Sequence, residues 1–279
     1  MTALTQICAG FLMLVGTMVP TLSLAQTADL DRLEAFLEVT GFDVALESIK
    51  LSAETAPGMI GLEAEDFGAE WTRLVDDVFE VDQMHAMALD ILSQTLEPDL
   101  LTHAVDFYAS DLGQRLVTAE NASHMKEDEA QKTEAGEAIV AGLVRLGSPR
   151  LEELKRLIAA SGSEDAAVRA IQEVQVRFLM AAAGAGVIDL QMDEPDLREN
   201  LARQEPDMRA AMQRSALSGS AYTYQAFSDD ELTAYADALE HPDMVRVYEL
   251  MNAVQFEIMA NRYEAVAERL RDLRPAQEL

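Results

Sequence analysis

The sequence predicts an all-α protein, and three observations carry that reading. Only eight prolines and fourteen glycines are spread over 279 residues, so long helical runs are seldom interrupted. Apolar residues recur at three- and four-residue spacing in one stretch after another. Runs of alternating β-branched residues are nearly absent, and no strand is expected.

The first residues stand apart from the rest. An apolar run from Ile7 to Val19 precedes Ser23-Leu24-Ala25, which puts small residues at positions −3 and −1 of a cut before Gln26. That is the layout of a secretory signal peptide over residues 1–25, too short for a spanning helix, though no Lys or Arg precedes its apolar run. The lone Cys8 lies before the apolar run, whereas a lipid-anchoring cysteine would follow it. The mature chain is therefore expected in the periplasm or secreted, without disulfides or a lipid anchor.

The first mature helix can be capped by Thr27 or Asp29. It carries Leu30, Leu33, Phe36 and Leu37 on one stripe and ends at Gly41. A second helix over Phe42 to Ala53 closes at Thr55-Ala56-Pro57-Gly58. Asp66 then opens one long helix with the stripe Trp71, Leu74, Val75, Val78, Val81, Ala88, Ile91 and Leu92. Pro98 suits the first turn of the next, which aligns Leu101, Ala104, Val105 and Tyr108. Ser110 can cap the following helix, where Gly113 permits close backbone approach at some cost in helix stability. The polar segment Asn121 to Gly136 reads as a mobile boundary before a helix from Glu137 to Leu146.

A second cycle begins at Ser148-Pro149, with Leu151, Leu154, Leu157 and Ile158 before a stop at Gly162. Ser163 caps a long helix bearing Ile171, Val174, Phe178 and Leu179. Gly184 to Pro206 reads as loop, with Asp193-Glu194-Pro195 and Glu205-Pro206 each able to start a short helix. Ser228-Asp229-Asp230-Glu231 is a capping box for the next helix. Pro242 starts a final amphipathic helix reaching Leu270, whose stripe of Val245, Tyr248, Met251, Val254, Ile258 and Tyr263 fits either core or an adaptable partner surface. Its basic end, Arg262, Arg269, Arg271 and Arg274, suits the helix dipole.

The two cycles correspond. Leu30, Leu33, Phe36, Leu37, Thr40 and Gly41 map in order onto Leu151, Leu154, Leu157, Ile158, Ser161 and Gly162, and Leu101, Thr102, Asp106 and Arg115 map onto Leu232, Thr233, Asp237 and Arg246. The second copy would hold about ten extra residues, which a surface loop absorbs most readily. The expectation is two related helical bundles from an internal duplication, residues 26–147 and 148–279, after a cleaved signal peptide.

Phe107, Tyr108, Ser110, Gly113, Gln114 and Arg115, downstream of an apolar helix ended by Thr40-Gly41, form a pattern that resembles the family known as domain of unknown function 2059. Asp111 stands where family members often have proline. The second half carries Pro242 at that place but lacks the Phe-Tyr and Gly. The resemblance implies an exported, all-helical bacterial protein and supplies no catalytic residues.

The candidate sites are few. Asp106 with Arg115, and Asp237 with Arg246, flank the two predicted helix corners and are expected to pair across them, unless each is separately solvated. Phe107, Tyr108 and Gly113 could line a ligand groove or simply belong to the core. Asp82 and His85, at i and i+3 in an acidic run, are a weak metal candidate against the reading of a solvated face. No other metal site and no cofactor is expected.

No Gly-x-Ser-x-Gly, phosphate-binding loop or zincin helix is present, which leaves only non-motif active sites open. Twenty-one basic against fifty acidic residues give a net charge of −29, a field that repels nucleic acid and anionic lipid. No stable membrane insertion is expected after signal cleavage, since the best later apolar stretch, Phe178 to Ile188, stops at Asp189. A non-enzymatic binding or interaction module of the cell envelope is the expected function, with an envelope protein among its possible partners. The alternatives are an enzyme with a non-motif site using carboxylates and His85, or a folding and assembly helper.

Overall fold

In the computed structural model of the chain, residues 22–53, 56–126 and 128–273 are described, with residues 22–28 and Glu65 described by backbone alone. The expected signal segment thus lies largely outside the described residues. Among them every regular element is helical. In order these are α1 (Leu22–Thr40), α2 (Phe42–Ser52), α3 (Ala69–Val78), α4 (Val81–Thr95), α5 (Pro98–Tyr108), α6 (Asp111–His124), α7 (Glu129–Leu146), α8 (Arg150–Ala160), α9 (Glu164–Gly184), α10 (Glu194–Thr223), α11 (Asp229–Leu239) and α12 (Pro242–Leu270). Two short 3-10 turns, Pro57–Ile60 and Ala64–Phe67, bridge α2 to α3. No described helix is long and apolar enough to cross a membrane.

α12 is the axis of the fold. It lies against α9 over most of its length and also packs on α5, α4 and α3, so the last helix closes the core of the first ones. Of the expected stripe, Val254, Ile258 and Tyr263 are buried, Tyr248 and Met251 half-buried and Val245 exposed; the buried face is completed by Met244, Val247, Val266 and Leu270. The buried apolar residues form one continuous cluster from Leu33 to Leu270, spanning both halves of the chain. A small satellite of Val176, Leu197 and Leu201 lies where α10 crosses α9.

The start signals work as the side chains dictate. Ser110, Ser163 and Asp193 accept backbone N–H groups at the heads of α6, α9 and α10. Ser228 and Glu231 form a reciprocal capping box on α11. Gly41 and Gly147 sit in the left-handed region (φ 72° and 59°), where a glycine ends a helix without strain.

Three expectations are corrected. The long helix from Asp66 breaks into α3 and α4 at Phe79-Glu80. Glu80 caps α4 by accepting from Asp82 and Gln83 N–H, while the guanidinium of Arg262, buried among neutral acceptors, donates to the Val78 carbonyl and to Gln83 Oε1. Arg262 therefore finishes α3 rather than its own helix. The polar stretch Asn121 to Gly136 is mostly helix, because Asp128 caps α7 and Gly136 seats it against Ser218 of α10. The run Gly184 to Pro206 is loop only as far as Asp193. Pro206 lies inside α10, where Arg209 ties that turn to Glu205 and to Glu164 and Asp165 at the head of α9.

Candidate functional site

α6 turns the face bearing Gly113, Leu116 and Val117 into the core. One turn further, that same face carries Glu120. Helical spacing makes a glutamate there an intruder among apolar residues, and the structure builds a polar pocket around it. Tyr224, at the end of α10, and Tyr235, on α11, each donate a hydroxyl to Glu120 Oε1 at 2.8 Å. Tyr248 of α12 lies 3.1 Å from the Tyr235 hydroxyl and makes a short hydrogen bond with Tyr108 at the end of α5, whose hydroxyl is 3.3 Å from that of Tyr235. Five segments thus send hydroxyls or a carboxylate to one point.

The aromatic rings fix these hydroxyls. Phe107 stacks on Tyr235 with centroids 5.8 Å apart, and Tyr224 meets Tyr235 edge-on at 5.9 Å. Burial pushes the Glu120 carboxyl above the ordinary glutamate value, since the two tyrosine hydroxyls only partly offset the loss of hydration. Burial also raises all four tyrosines, so each remains a neutral donor. No lysine or arginine counters Glu120, and its second oxygen, Oε2, has no hydrogen-bond partner among the described residues.

A cavity of about 280 Å³ opens beside this cluster, lined by Glu120, Tyr224, Tyr235 and Tyr248 together with Phe42, Asn121 and Asn252. Next to it runs a far larger groove, about 1770 Å³, between α8, α9, α10 and α12. Ala159, Ala166, Ala170, Ala253 and Phe256 give it an apolar strip, and charged side chains of both signs, among them Lys155, Arg169, Glu173 and Glu257, line the rest. Cavity and groove share Ile158, Ser161, Tyr248 and Asn252 as lining residues. Asn252 donates its amide to the Ser161 carbonyl at 2.9 Å, which holds this junction in place.

Of the residues singled out in the sequence, Tyr108 is the innermost member of the tyrosine cluster, fully buried behind the cavity rather than on its wall. Phe107 is the half-buried stacking partner of Tyr235. Gly113 is the contact point of α5 and α6: a Cβ there would collide with the Phe107 carbonyl oxygen and come within 2.6 Å of Tyr108 Cα. It serves close packing, not a groove wall.

Neither expected corner pair forms. Arg115 reaches instead to Glu231 at 2.5 Å and lies over the Phe227 ring, Asp237 takes Arg156 at 2.6 Å, and Arg246 takes Glu249 at 2.9 Å. Asp106 has no ion pair among the described residues. Each arginine has a carboxylate on a neighbouring element or turn that its long side chain reaches more directly than across its own corner.

Asp82 is exposed at the head of α4, while His85 is held 3.3 Å from the Asp43 carbonyl, so the two do not form a ligand set. The described group that could hold a metal ion is elsewhere. His103 and His241 stack with centroids 4.3 Å apart where α5 meets the start of α12, and Asp243 completes a set of donor atoms within 4.8 Å of one another.

Glu120, Tyr224 and Tyr235 were not singled out from the sequence. Glu120 was detectable as the glutamate on the apolar face of α6. The tyrosines come from separate helices, and no spacing rule brings them together.

Residues 82–141 match the family described as "Uncharacterized protein conserved in bacteria (DUF2059)". The matched segment runs from the head of α4 into α7 and contains Tyr108, Gly113 and Glu120, so this part of the chain is similar to that family, and the match includes the Phe107–Arg115 pattern. No curated protein and no solved structure matches the chain.

Proposed function

We propose that the protein is an exported, non-enzymatic binding module of the cell envelope that takes a small molecule with an apolar body and a polar head. The body lies in the groove between α8, α9, α10 and α12, and the head passes Ser161, Tyr248 and Asn252 to reach Glu120. The observation that carries this is the shared wall of the two spaces: alanines and Phe256 offer an apolar strip in a groove that also carries charged side chains such as Lys155, Arg169 and Glu173, and the groove meets the Glu120 cavity at Ser161, Tyr248 and Asn252. An apolar strip that leads to a small set of converging polar groups suits orientation-specific binding. Export rests on the signal-like layout of residues 1–25.

The same proposal takes residues 26–147 and 148–279 as copies of one helical unit. Supporting it, α5 and α11 each have eleven residues, and each is followed by a right-handed helical residue and then an extended cap before the next helix.

Binding of a neutral apolar dye, N-phenyl-1-naphthylamine, tests the function by fluorescence. The wild type should show one saturable site. Ala253→Trp, which fills the groove from an exposed position on α12, should weaken it by roughly ten-fold or more, about 1.4 kcal/mol. Absence of saturable binding, or equal binding by the variant, would reject the reading.

A second reading is favoured by the Glu120 carboxyl being shifted upward by burial, the direction in which a general acid is tuned. It makes the site an enzyme acting on the bound molecule. A ligand recovered unchanged after prolonged incubation argues for binding; its conversion by wild type but not by Glu120→Gln argues for catalysis.

A further inference from the structure

We propose that the polar head recognised at Glu120 is an organic ammonium ion, so that the ligand is an alkylammonium compound; this rests on the groove and cavity forming one ligand site. The first ground is charge. Glu120 is a half-buried carboxylate, and among the described residues no lysine or arginine lines the cavity beside it; His124 is the only basic side chain among them there. Buried carboxylates in proteins are normally paired, because an isolated one loses its hydration without compensation. Here the protein supplies two neutral donors to Oε1 and leaves Oε2 without a partner.

The second ground is the kind of polar group still free. Thr40, also on the cavity wall, already donates its hydroxyl to the Phe36 carbonyl, and the Asn252 amide nitrogen is committed to Ser161. Glu120 Oε2, the Asn252 side-chain oxygen and the buried Asn121 Oδ1 are acceptors with no hydrogen-bond partner among the described residues, while the Asn121 and Gln255 amide nitrogens on the same wall are donors without one. A head group that complements the three oxygens must donate.

The third ground is aromatic. Tyr224, Tyr235, Tyr248 and Phe42 line the same cavity. A cation within about 6 Å of such ring faces is attracted by their quadrupoles, and aromatic walls beside a carboxylate are the setting in which ammonium groups are held. A carboxylate or phosphate head would instead face Glu120 with no basic partner but His124. A neutral alcohol could satisfy a hydrogen bond but would not balance the charge of the carboxylate. The alanine-lined groove next to the cavity accepts the alkyl part, as in the function proposed above.

Calorimetric titration of the mature chain with octylamine, octan-1-ol and octanoate, all below aggregation concentrations, decides this. Octylamine should bind at least about ten-fold more tightly than octan-1-ol, and octanoate most weakly. Glu120→Gln should keep octan-1-ol binding and lose the preference for the amine. Equal affinity of the wild type for amine and alcohol would overturn the ammonium assignment while leaving the ligand site standing. An amine preference undiminished in Glu120→Gln would overturn it as well, and failure of all three probes to bind would overturn both. Should Glu120→Gln not fold, the three-probe comparison on the wild type is sufficient.

Discussion

The two helix corners, α5–α6 and α11–α12, share a frame and differ in how they are filled. Each joins an eleven-residue helix to the next through one right-handed helical residue, Ala109 or Glu240, and one extended cap, Ser110 or His241. The third residue of the second helix then separates them. In α6 it is Gly113, where the backbone of α5 comes within reach of an absent side chain; in α12 it is Met244, fully buried. The first corner is closed by backbone contact and the second by a side chain. One backbone design thus accepts opposite core solutions, and the closed corner is the one that packs Tyr108 behind the Glu120 pocket.

That contrast predicts a graded series. Met244→Ala should have the largest effect, about 3 kcal/mol lost in urea unfolding, because a flexible side chain leaves a cavity when removed from a filled corner. Gly113→Ala should cost about 2 kcal/mol, since the new methyl meets backbone that cannot swing aside. If Gly113→Ala were neutral, the close approach of α5 and α6 would not be what shapes the first corner. Ser110→Ala should cost about 1 kcal/mol through loss of the bond from Gly113 N–H, and His241→Ala clearly less, because its cap to Asp243 N–H is longer, at 3.3 Å. Equal losses at the two caps would show that the corners depend on them alike.

The smallest expected effect is a pH dependence specific to Glu120. Its carboxyl is raised by burial, so the folded protein holds that proton more tightly than the unfolded chain. Between the ordinary glutamate value and the raised one, the unfolded state has released the proton while the folded state has not. The Glu120 contribution is therefore complete below the ordinary value and is lost as pH rises through the folded value. The groups facing it are Tyr108, Tyr224, Tyr235, Tyr248 and His124; the tyrosines stay neutral throughout this range. The difference in stability between wild type and Glu120→Gln, measured across acidic to neutral pH, should show the wild type losing ground as pH rises. A constant difference would mean that Glu120 is not perturbed.

Much of the fold was legible because it is written in local signals. Ser110, Ser163, Ser228 and Pro242 mark helix starts, and Gly41 and Gly147 mark stops, each through a backbone group or dihedral that its own side chain decides. The break at Phe79-Glu80 was not legible, since the Val78 carbonyl is satisfied by Arg262, far along the chain. Pro206 misled in the other direction, because tertiary ion pairs at Arg209 hold a helix through a residue that locally disfavours one. The site followed the same division. Tyr108 and Phe107 lay in a recognisable pattern, but their partners Tyr235, Tyr224 and Glu120 come together only through the packing of α6, α10 and α11. The expected Asp–Arg corner pairs were wrong because positions matched in sequence say nothing of which carboxylate an arginine reaches.

The central claim is that groove and Glu120 cavity form one ligand site, and it can be tested on protein isolated from its own cell envelope. Small molecules released by denaturation are identified by mass spectrometry for the wild type and for Ala253→Trp. The account predicts an amine-bearing molecule with an apolar chain, present with the wild type and depleted from the variant. A wild type that releases no small molecule, or the same molecules recovered from both proteins, would contradict it.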